Sequence, residues 1–320
     1  MVSVVSSGTT ALHLAVTAAH IGAGDEVLVS ASTNIATALA VVHNNALPVP
    51  VDSESVTWNL DLSLIEPLIT ARTKAIIPVH LYGHPVDMDR LMETARSHDL
   101  IVIEDCAEAH GATCRGRRAG SFGDMACFSF YANKIITTGE GGMVLTNDAR
   151  LAERLRLLRN LAFTKPRFKH EEAGYNFRLT GMQAAMGLAQ FAKISQIISE
   201  KRRVAQIYNK LLADIKGLQL PAEADWAMNV YWMYAVVVRP EFGRTRDDLM
   251  ALLREDGIDT RTFFCPMNIQ PCLRTRPDFR ATPCPVAENL WQTGLYLPST
   301  YTLPEPTLRR VADSITRNAR

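Results

Sequence analysis

The 320-residue chain lacks the features that mark membrane, secreted and nucleic-acid-binding proteins. It has no run of about 18 or more apolar residues, so we expect no membrane-spanning helix. The start, Met1-Val-Ser-Val-Val, has neither the basic region nor the apolar core of a signal peptide. With 34 basic and 33 acidic residues, the net charge is +1, which argues against a nucleic-acid footprint or a polybasic membrane patch.

Cysteines are few and unpatterned. They do not form the two C-x-x-C pairs of a structural zinc site, so that interpretation is weak. A chain of this length without a secretory start does not require a disulfide framework. We therefore expect a cytoplasmic protein with reduced thiols and no structural metal. The six cysteines are Cys106, Cys114, Cys127, Cys265, Cys272 and Cys284.

The first half of the chain alternates apolar runs of strand length with helical patterns. Such alternation is typical of a mostly parallel sheet with helices on both faces, the α/β class. Helices are predicted at residues 9–20 and 86–98, among others. Strands are predicted at residues 2–6, 26–30, 46–51, 75–78, 101–104, 125–129 and 142–146, the last two closely linked.

The pattern changes after about residue 150. Helices are predicted at residues 151–161, 180–212, 246–256 and 306–319, strands at 230–238 and 258–264, and an irregular Pro-rich segment at 266–285. We place a domain change at Gly217. The expected domains are a large one at residues 1–216 and a smaller C-terminal α+β domain at residues 217–320.

The carboxyl ends of the strands are where open α/β sheets bind ligands. After the first strand, Ser6-Ser7-Gly8-Thr9 forms a small, hydroxyl-rich turn that opens a helix. Free backbone N–H groups at a helix N-terminus suit a phosphate. A simple N-cap by Ser or Thr is the alternative.

Asp105 follows the strand at residues 101–104. A carboxylate at the end of an apolar strand is costly unless it meets a cation or hydrogen-bond donors. Three interpretations are open: a metal site with the nearby Glu104, Glu108 and His110, a partner for a buried pyridinium nitrogen, or a cap for the following helix.

Lys134 stands out among the eight lysines. Lys193, Lys201 and Lys210 belong to a long amphipathic helix and are expected to be solvated. Lys134 lies between two apolar strands in a glycine-rich stretch, and a desolvated lysine can act as a nucleophile toward a carbonyl. A lysine in a surface hairpin is the alternative.

Three strand ends thus offer a phosphate-binding turn, a carboxylate and a desolvated lysine. Pyridoxal 5′-phosphate (PLP) carries a phosphate, a pyridine nitrogen and an aldehyde. The set of three is far more specific than any one member, so the residues predict a PLP enzyme.

With these residues in hand, the chain resembles the DegT/DnrJ/EryC1/StrS family of sugar aminotransferases over essentially its whole length. The resemblance is strongest at residues 6–14, 72–83, 103–111, 120–147 and 174–190. Within the family it is greatest to the GDP-perosamine synthases, through residues 78–83, 129–142, 230–234, 257–261 and 297–299. The resemblance implies a fold-type I PLP-dependent transferase that moves an amino group from L-glutamate to a nucleotide-linked 4-keto-6-deoxy-sugar.

The resemblance also implies a role for each site residue. Lys134 would bond to the PLP aldehyde and transfer protons. Asn176 would reach the cofactor of a neighbouring subunit, which implies a homodimer with shared active sites. The other implied roles are Asp105 at the ring nitrogen, Gly8, Thr9 and Ser129 at the phosphate, Glu108 near the cofactor, and Arg261 at the sugar nucleotide.

The chain departs from the family pattern at two points. Asn34 occupies the position of an aromatic residue that usually stacks on the PLP ring. The tens of residues that usually precede the Ser6-Ser7-Gly8 turn are also missing from this sequence. Two alternatives therefore stay open. One is a sugar dehydratase on the same fold, although such relatives carry histidine in place of Lys134. The other is a non-catalytic homologue with a binding or regulatory role.

Overall fold

The computed structural model describes residues 1–319, which fold into strands β1–β14 and helices α1–α10. The strands are β1 Val2–Val5, β2 Glu26–Ser30, β3 Leu47–Val51, β4 Thr73–Ile77, β5 Ile101–Asp105, β6 Thr113–Cys114, β7 Arg117–Arg118, β8 Met125–Ser129, β9 Gly142–Leu145, β10 Leu218–Gln219, β11 Ala227–Met228, β12 Tyr234–Val238, β13 Arg261–Thr262 and β14 Gly294–Leu297. The helices are α1 Gly8–Ala18, α2 Ala36–Val42, α3 Met88–Ser97, α4 Ala149–Leu158, α5 Gly181–Phe191, α6 Ile194–Leu212, α7 Arg246–Glu255, α8 Pro271–Arg274, α9 Pro285–Thr293 and α10 Glu305–Asn318.

A seven-stranded sheet dominates the first half, in the order β1-β9-β8-β5-β4-β2-β3. Neighbouring strands from β3 to β8 pair in parallel, whereas β9 is antiparallel to both β8 and β1. Six strands therefore run in one direction and one runs against them. The predicted mostly parallel α/β sheet is confirmed.

This sheet is buried on both faces, which explains why its strands read as continuous apolar runs. Successive side chains of a strand point to opposite faces. In β2, Val27 and Val29 join the apolar cluster under α1, whereas Leu28 joins the cluster under α3. Helices thus cover both faces and leave the carboxyl ends of the strands free to build a site.

A second, antiparallel sheet has the order β10-β12-β14-β13. Its core includes side chains from α6, α7 and α10, for example Tyr208, Leu249 and Val311. Helix α6 precedes Gly217 in the sequence yet packs with this core. The division at Gly217 into domains 1–216 and 217–320 stays a prediction.

The second half departs from the predicted elements in detail. The single helix predicted at residues 180–212 is two helices, α5 and α6, separated at Ala192 and Lys193. The strand predicted at residues 258–264 shortens to β13, and β14 lies in a stretch for which no strand was predicted. Across residues 1–319, none of the helices combines the length and the apolar character that a membrane span requires.

Candidate active site

The N-terminus of α1 lies against the carboxyl end of β8 and against Gly142, the first residue of the antiparallel strand β9. Ser7 caps the helix by accepting a hydrogen bond from the Thr10 N–H at 3.1 Å. A Cβ on Gly8 would lie 2.6 Å from Ser129 Cβ, so only glycine permits this approach. The first N–H groups of a helix have no intrahelical acceptor. The turn therefore presents free donors beside the Ser129 hydroxyl group, a suitable site for a phosphate.

Asp105 ends β5 as a buried carboxylate. Its Oδ2 accepts a hydrogen bond from the Thr37 hydroxyl group at 2.9 Å, and its Oδ1 accepts one from the Ala107 N–H at 3.1 Å. Burial raises the pKa of Asp105. Among residues 1–319 it forms no ion pair, so a cationic ring nitrogen would supply the charge that this buried group lacks.

Lys134 follows β8 and is largely buried, with 11% of its side chain exposed. Its Nζ lies 3.9 Å from Glu108 Oε1 and 3.6 Å from the centre of the Trp232 ring. The Trp232 indole N–H donates a hydrogen bond to the Asn133 carbonyl oxygen at 2.7 Å. Burial lowers the pKa of Lys134. A larger fraction of Lys134 is therefore the neutral amine, which is the nucleophilic form, near neutral pH.

Glu108 is the second buried carboxyl group beside Lys134. Its Oε2 accepts a hydrogen bond from the Tyr82 N–H at 2.8 Å. Burial raises the pKa of Glu108 to about 7, against the attraction of the Lys134 ammonium group. Glu108 can therefore gain and lose a proton near neutral pH, where the Lys134 amine must also gain and lose one.

A cleft of about 600 Å³ opens above Lys134. Trp232, Thr300 and Tyr301 line it, as does Arg261 on the short edge strand β13. Arg261 is exposed and pairs with Asp259 at 3.2 Å. This size suits a substrate considerably larger than an amino acid.

Besides Arg261, three of the predicted site residues lie outside this buried group. Thr9 is exposed in the first turn of α1. Asn34 is exposed, and its Oδ1 accepts a hydrogen bond from the Ala36 N–H at 3.0 Å, which begins α2. Asn176 is exposed in a segment that bridges to Asn160. None of the three forms a hydrogen bond or ion pair with Lys134 among residues 1–319.

Glu104, Asp105, Glu108 and His110, which we considered as metal ligands, do not bring their ligand atoms together at one point. His80, Glu104 and Cys106 form the one group of described residues whose ligand atoms lie close enough for a metal, and it includes only Glu104 of those four. Glu104 accepts hydrogen bonds from the N–H groups of Gly120, Phe122 and Gly123 at 2.7 Å each. It thus anchors the loop before β8 and points away from Asp105, its neighbour on the strand.

The structure adds residues that the sequence did not indicate. Thr37 supports Asp105, and Trp232 covers Lys134. The prediction that Lys201 is solvated is wrong, because only 6% of its surface is exposed. Its Nζ donates hydrogen bonds to the carbonyl oxygens of Trp232 and Ser299. Lys193 and Lys210 are exposed, as expected.

A buried carboxylate that has no ion-pair partner among residues 1–319, a largely buried lysine and a helix N-terminus meet at the carboxyl ends of parallel strands. These residues fit the ring nitrogen, the aldehyde and the phosphate of PLP, and together they define the class as a PLP-dependent transferase. Comparison with known proteins makes the assignment specific. The chain belongs to the DegT/DnrJ/EryC1/StrS aminotransferase family, whose model matches residues 1–316.

The similar proteins include GDP-perosamine synthases and a deoxysugar transaminase. A GDP-perosamine synthase of Caulobacter vibrioides is 45% identical over 308 residues, which cover 96% of this chain and 82% of the relative. Another from Escherichia coli O157:H7 is 41% identical and covers 97% and 84% of the two chains. The solved structure of DesV from S. venezuelae, in complex with a ketimine intermediate, superposes with a TM-score of 0.91 at 40% identity, and the match covers 99% of this chain and 84% of that one.

These findings confirm four predictions: the family, the fold class, the aminotransferase activity and PLP as the cofactor. The roles of the individual site residues stay predictions.

Proposed function

We propose that this aminotransferase moves an amino group from L-glutamate to a GDP-linked 4-keto-6-deoxy-sugar, with GDP-4-keto-6-deoxy-mannose as the first candidate. The reaction would form an amino sugar for a surface polysaccharide such as an O-antigen. Similarity to two GDP-perosamine synthases over nearly the whole chain supports this substrate class. The observation that carries the proposal is the buried group formed by Asp105, Glu108 and Lys134 beneath the cleft.

PLP supplies an aldehyde that accepts amino groups and a ring that withdraws electrons. In our proposal, Lys134 would hold PLP through its aldehyde. When its amine is free, Lys134 would take the proton from Cα of the amino donor and, in the second half of the reaction, would deliver a proton to the sugar carbon that receives the amino group. Its lowered pKa favours the free amine that this step needs. Glu108, at 3.9 Å, is placed to hold or release a proton beside it.

The remaining cofactor contacts are part of the same proposal. Asp105 would keep the ring nitrogen protonated, with Thr37 and the Ala107 N–H fixing the carboxylate. Gly8, Thr9 and Ser129 would hold the phosphate at the N-terminus of α1. Asn34 would lie at the face of the ring with far less stacking area than an aromatic residue.

Arg261 is our candidate for contact with the nucleotide. It lines the cleft and is exposed, and its one carboxylate partner in the described part of the chain is Asp259, which is itself exposed. An exposed ion pair of this kind is weak, so a diphosphate group could replace Asp259 as its partner.

A homodimer with shared active sites is part of the proposal, as is a cytoplasmic location. Helix α5 has no buried residue, and its exposed apolar side chains exceed what a solvated helix usually carries. A partner subunit that covers this face would bring its own Asn176 toward the cofactor. The exposed side chains are Met182 at 83%, Met186 at 50%, Leu188 at 71% and Phe191 at 61%.

The alternatives are less well supported. A sugar dehydratase of this fold would carry histidine at the position of Lys134. A non-catalytic homologue would have no need of a buried lysine and two buried carboxyl groups, which are costly to keep.

The test is mass spectrometry of the products formed from a panel of nucleotide-linked keto-sugars with PLP and L-glutamate. We expect an aminated GDP-sugar with wild type and none with Lys134→Ala. Amination of a dTDP- or UDP-sugar alone would refute the proposed substrate. Release of a dehydrated sugar would identify the alternative reaction.

A further inference from the structure

Lys201 is a buried lysine in the wall of the cleft that the roles above do not use. It lies in α6, and within the described part of the chain it forms no ion pair. Its Nζ donates hydrogen bonds to the carbonyl oxygens of Trp232 at 2.8 Å and Ser299 at 2.5 Å, and lies 3.5 Å from Ser299 Oγ. Burial lowers the pKa of Lys201 to about 7. Burial of an amine is costly whether it keeps its charge or gives up its proton, so a purely structural role would be better served by an apolar residue.

The two carbonyl groups belong to chain segments that flank paired strands. Trp232 precedes β12 and Ser299 follows β14, where Tyr234 pairs with Leu297. The Tyr234 N–H also donates a hydrogen bond to Ser299 Oγ at 3.2 Å. Lys201 therefore ties α6 to the ends of both strands, at the level of the cleft.

Trp232 connects this anchor to the reacting amine. Its indole ring lies 3.6 Å from Lys134 Nζ, and its ring N–H donates to the Asn133 carbonyl oxygen next to Lys134. The ring covers the amine and contributes a cation–π contact when the amine is charged. A shift of the Trp232 backbone would expose the Lys134 amine to water.

We propose that Lys201 is a positioning residue for the reaction at Lys134, because its hydrogen bonds to Trp232 and Ser299 fix the indole ring over the Lys134 amine. The inference rests on the proposed function, in which Lys134 is the reacting lysine. The alternative role for Lys201 is a direct contact with the substrate, which its position in the cleft wall also permits.

The first test measures the Lys134 amine itself, on the full chain without added PLP. A limiting amount of acetic anhydride labels the lysines, and the acetylation rate of Lys134 is read by peptide mass spectrometry. We expect Lys201→Met and Trp232→Leu each to raise this rate about threefold or more, and the double variant to exceed neither, because the two act through one contact. Effects that multiply in the double variant would overturn the proposal.

The second test separates positioning from substrate binding in the PLP-loaded enzyme. We expect Lys201→Met to lower kcat about tenfold with KM for both substrates nearly unchanged, since only proton transfer at Lys134 suffers. A raised KM for the sugar nucleotide with normal kcat would instead identify a direct substrate contact. Lys210→Met, an exposed lysine of the same helix, is the matched control and should match wild type in both tests.

If Lys201→Met does not fold, Lys201→Arg tests the same positioning role. The planar guanidinium group cannot make the same three contacts without displacing Trp232. Labelling of Lys134 should rise in this variant and should not rise further when Trp232→Leu is added. A wild-type labelling rate would refute the proposal. Because labelling needs no turnover, failure of the proposed transamination and failure of this inference are read separately.

Discussion

At the scale of single residues, Asp105 illustrates how one buried charge can serve a cofactor. Its carboxylate keeps two hydrogen bonds but no ion pair among residues 1–319. The isosteric change Asp105→Asn preserves an acceptor for the Ala107 N–H while removing the charge that would hold the ring nitrogen protonated. We expect kcat to fall about 100-fold or more, by analogy with other lost electrostatic contacts to a reacting group.

Steady-state kinetics with saturating PLP measure this loss. Thr37→Val is the matched control, because it removes one neutral hydrogen bond to Asp105 and leaves the charge. Its effect should stay below about tenfold. A kcat for Asp105→Asn equal to that of wild type would exclude Asp105 from the role.

The raised pKa of Glu108 predicts that the free energy of unfolding depends on pH. Its pKa rises from 4.5 to about 7 on burial, so the folded protein binds a proton that the unfolded chain releases between these values. The contribution to stability is fully present below about pH 4.5 and is lost as the pH rises through 7. Over this range the loss is on the order of 3 kcal/mol for the protein without PLP.

Urea unfolding at pH 5 and pH 7 tests the sign. Glu108→Gln cannot ionise, so its free energy of unfolding should fall less over this interval than that of wild type. Glu93→Gln removes an exposed carboxylate from α3 and should keep the wild-type pH dependence. An identical pH dependence in wild type and Glu108→Gln would contradict the assignment.

At the scale of elements, the contact between β9 and the phosphate-binding turn depends on Gly142. A Cβ at this position would lie 2.2 Å from the Ser7 carbonyl oxygen, a backbone atom that cannot move without shifting α1. We expect Gly142→Ala to lower the free energy of unfolding by about 2 kcal/mol and to weaken PLP binding. Thermal unfolding and a fluorescence titration with PLP measure the two effects.

Gly22→Ala provides the control, because its nearest neighbour would lie at 3.8 Å, an ordinary contact. Its stability should stay within about 0.5 kcal/mol of wild type. If Gly142→Ala binds PLP as wild type does, the turn is not the phosphate site.

Local sequence patterns predict best the strands and helices in which buried residues follow a regular pattern along the chain. Strands β2 and β8 match the predicted bounds, because both faces are buried and the apolar runs have clear ends. The break between α5 and α6 was missed, since the amphipathic pattern continues across it. Strand β14 was missed because pairing with β12 and β13, distant in sequence, defines it.

The same distinction separates the predicted from the unpredicted site residues. Gly8, Asp105 and Lys134 follow strands of one sheet, so sequence order alone indicates that they meet. Lys201 has the spacing of a solvated helix residue, and only the approach of the chain near Ser299, 98 positions away, buries it. The contact between Trp232 and Lys134 likewise joins two segments that are distant in the sequence. Contacts between distant segments leave no local signal.

At the scale of the whole molecule, helix α5 connects the exposed apolar face to the site. Gln190 binds the backbone of Thr137 through both ends of its amide, and Gln183 donates to the Glu140 carbonyl oxygen at 2.9 Å. The loop after Lys134 is therefore held by the helix that we propose as the subunit interface. Loss of the partner should loosen the active site as well as the dimer.

Replacing Met182 and Leu188 with glutamate tests this coupling. Two charges on an apolar interface should dissociate the dimer, and we expect kcat to fall with it. Sedimentation velocity and kinetics measure the two effects. Val56→Glu, at an exposed apolar residue outside α5, is the control and should leave both unchanged. A monomeric variant with full activity would show that each chain builds a complete site.

Subunit mixing tests whether Asn176 acts across the interface. Lys134→Ala and Asn176→Ala dimers should each have little activity. In a mixed dimer, one site combines the intact Lys134 of one subunit with the intact Asn176 of the other. Random exchange should therefore restore about a quarter of wild-type activity, since half of the dimers regain one of two sites. If Asn176 serves the site of its own chain, no mixed dimer contains a complete site, and activity stays at the level of the parent variants.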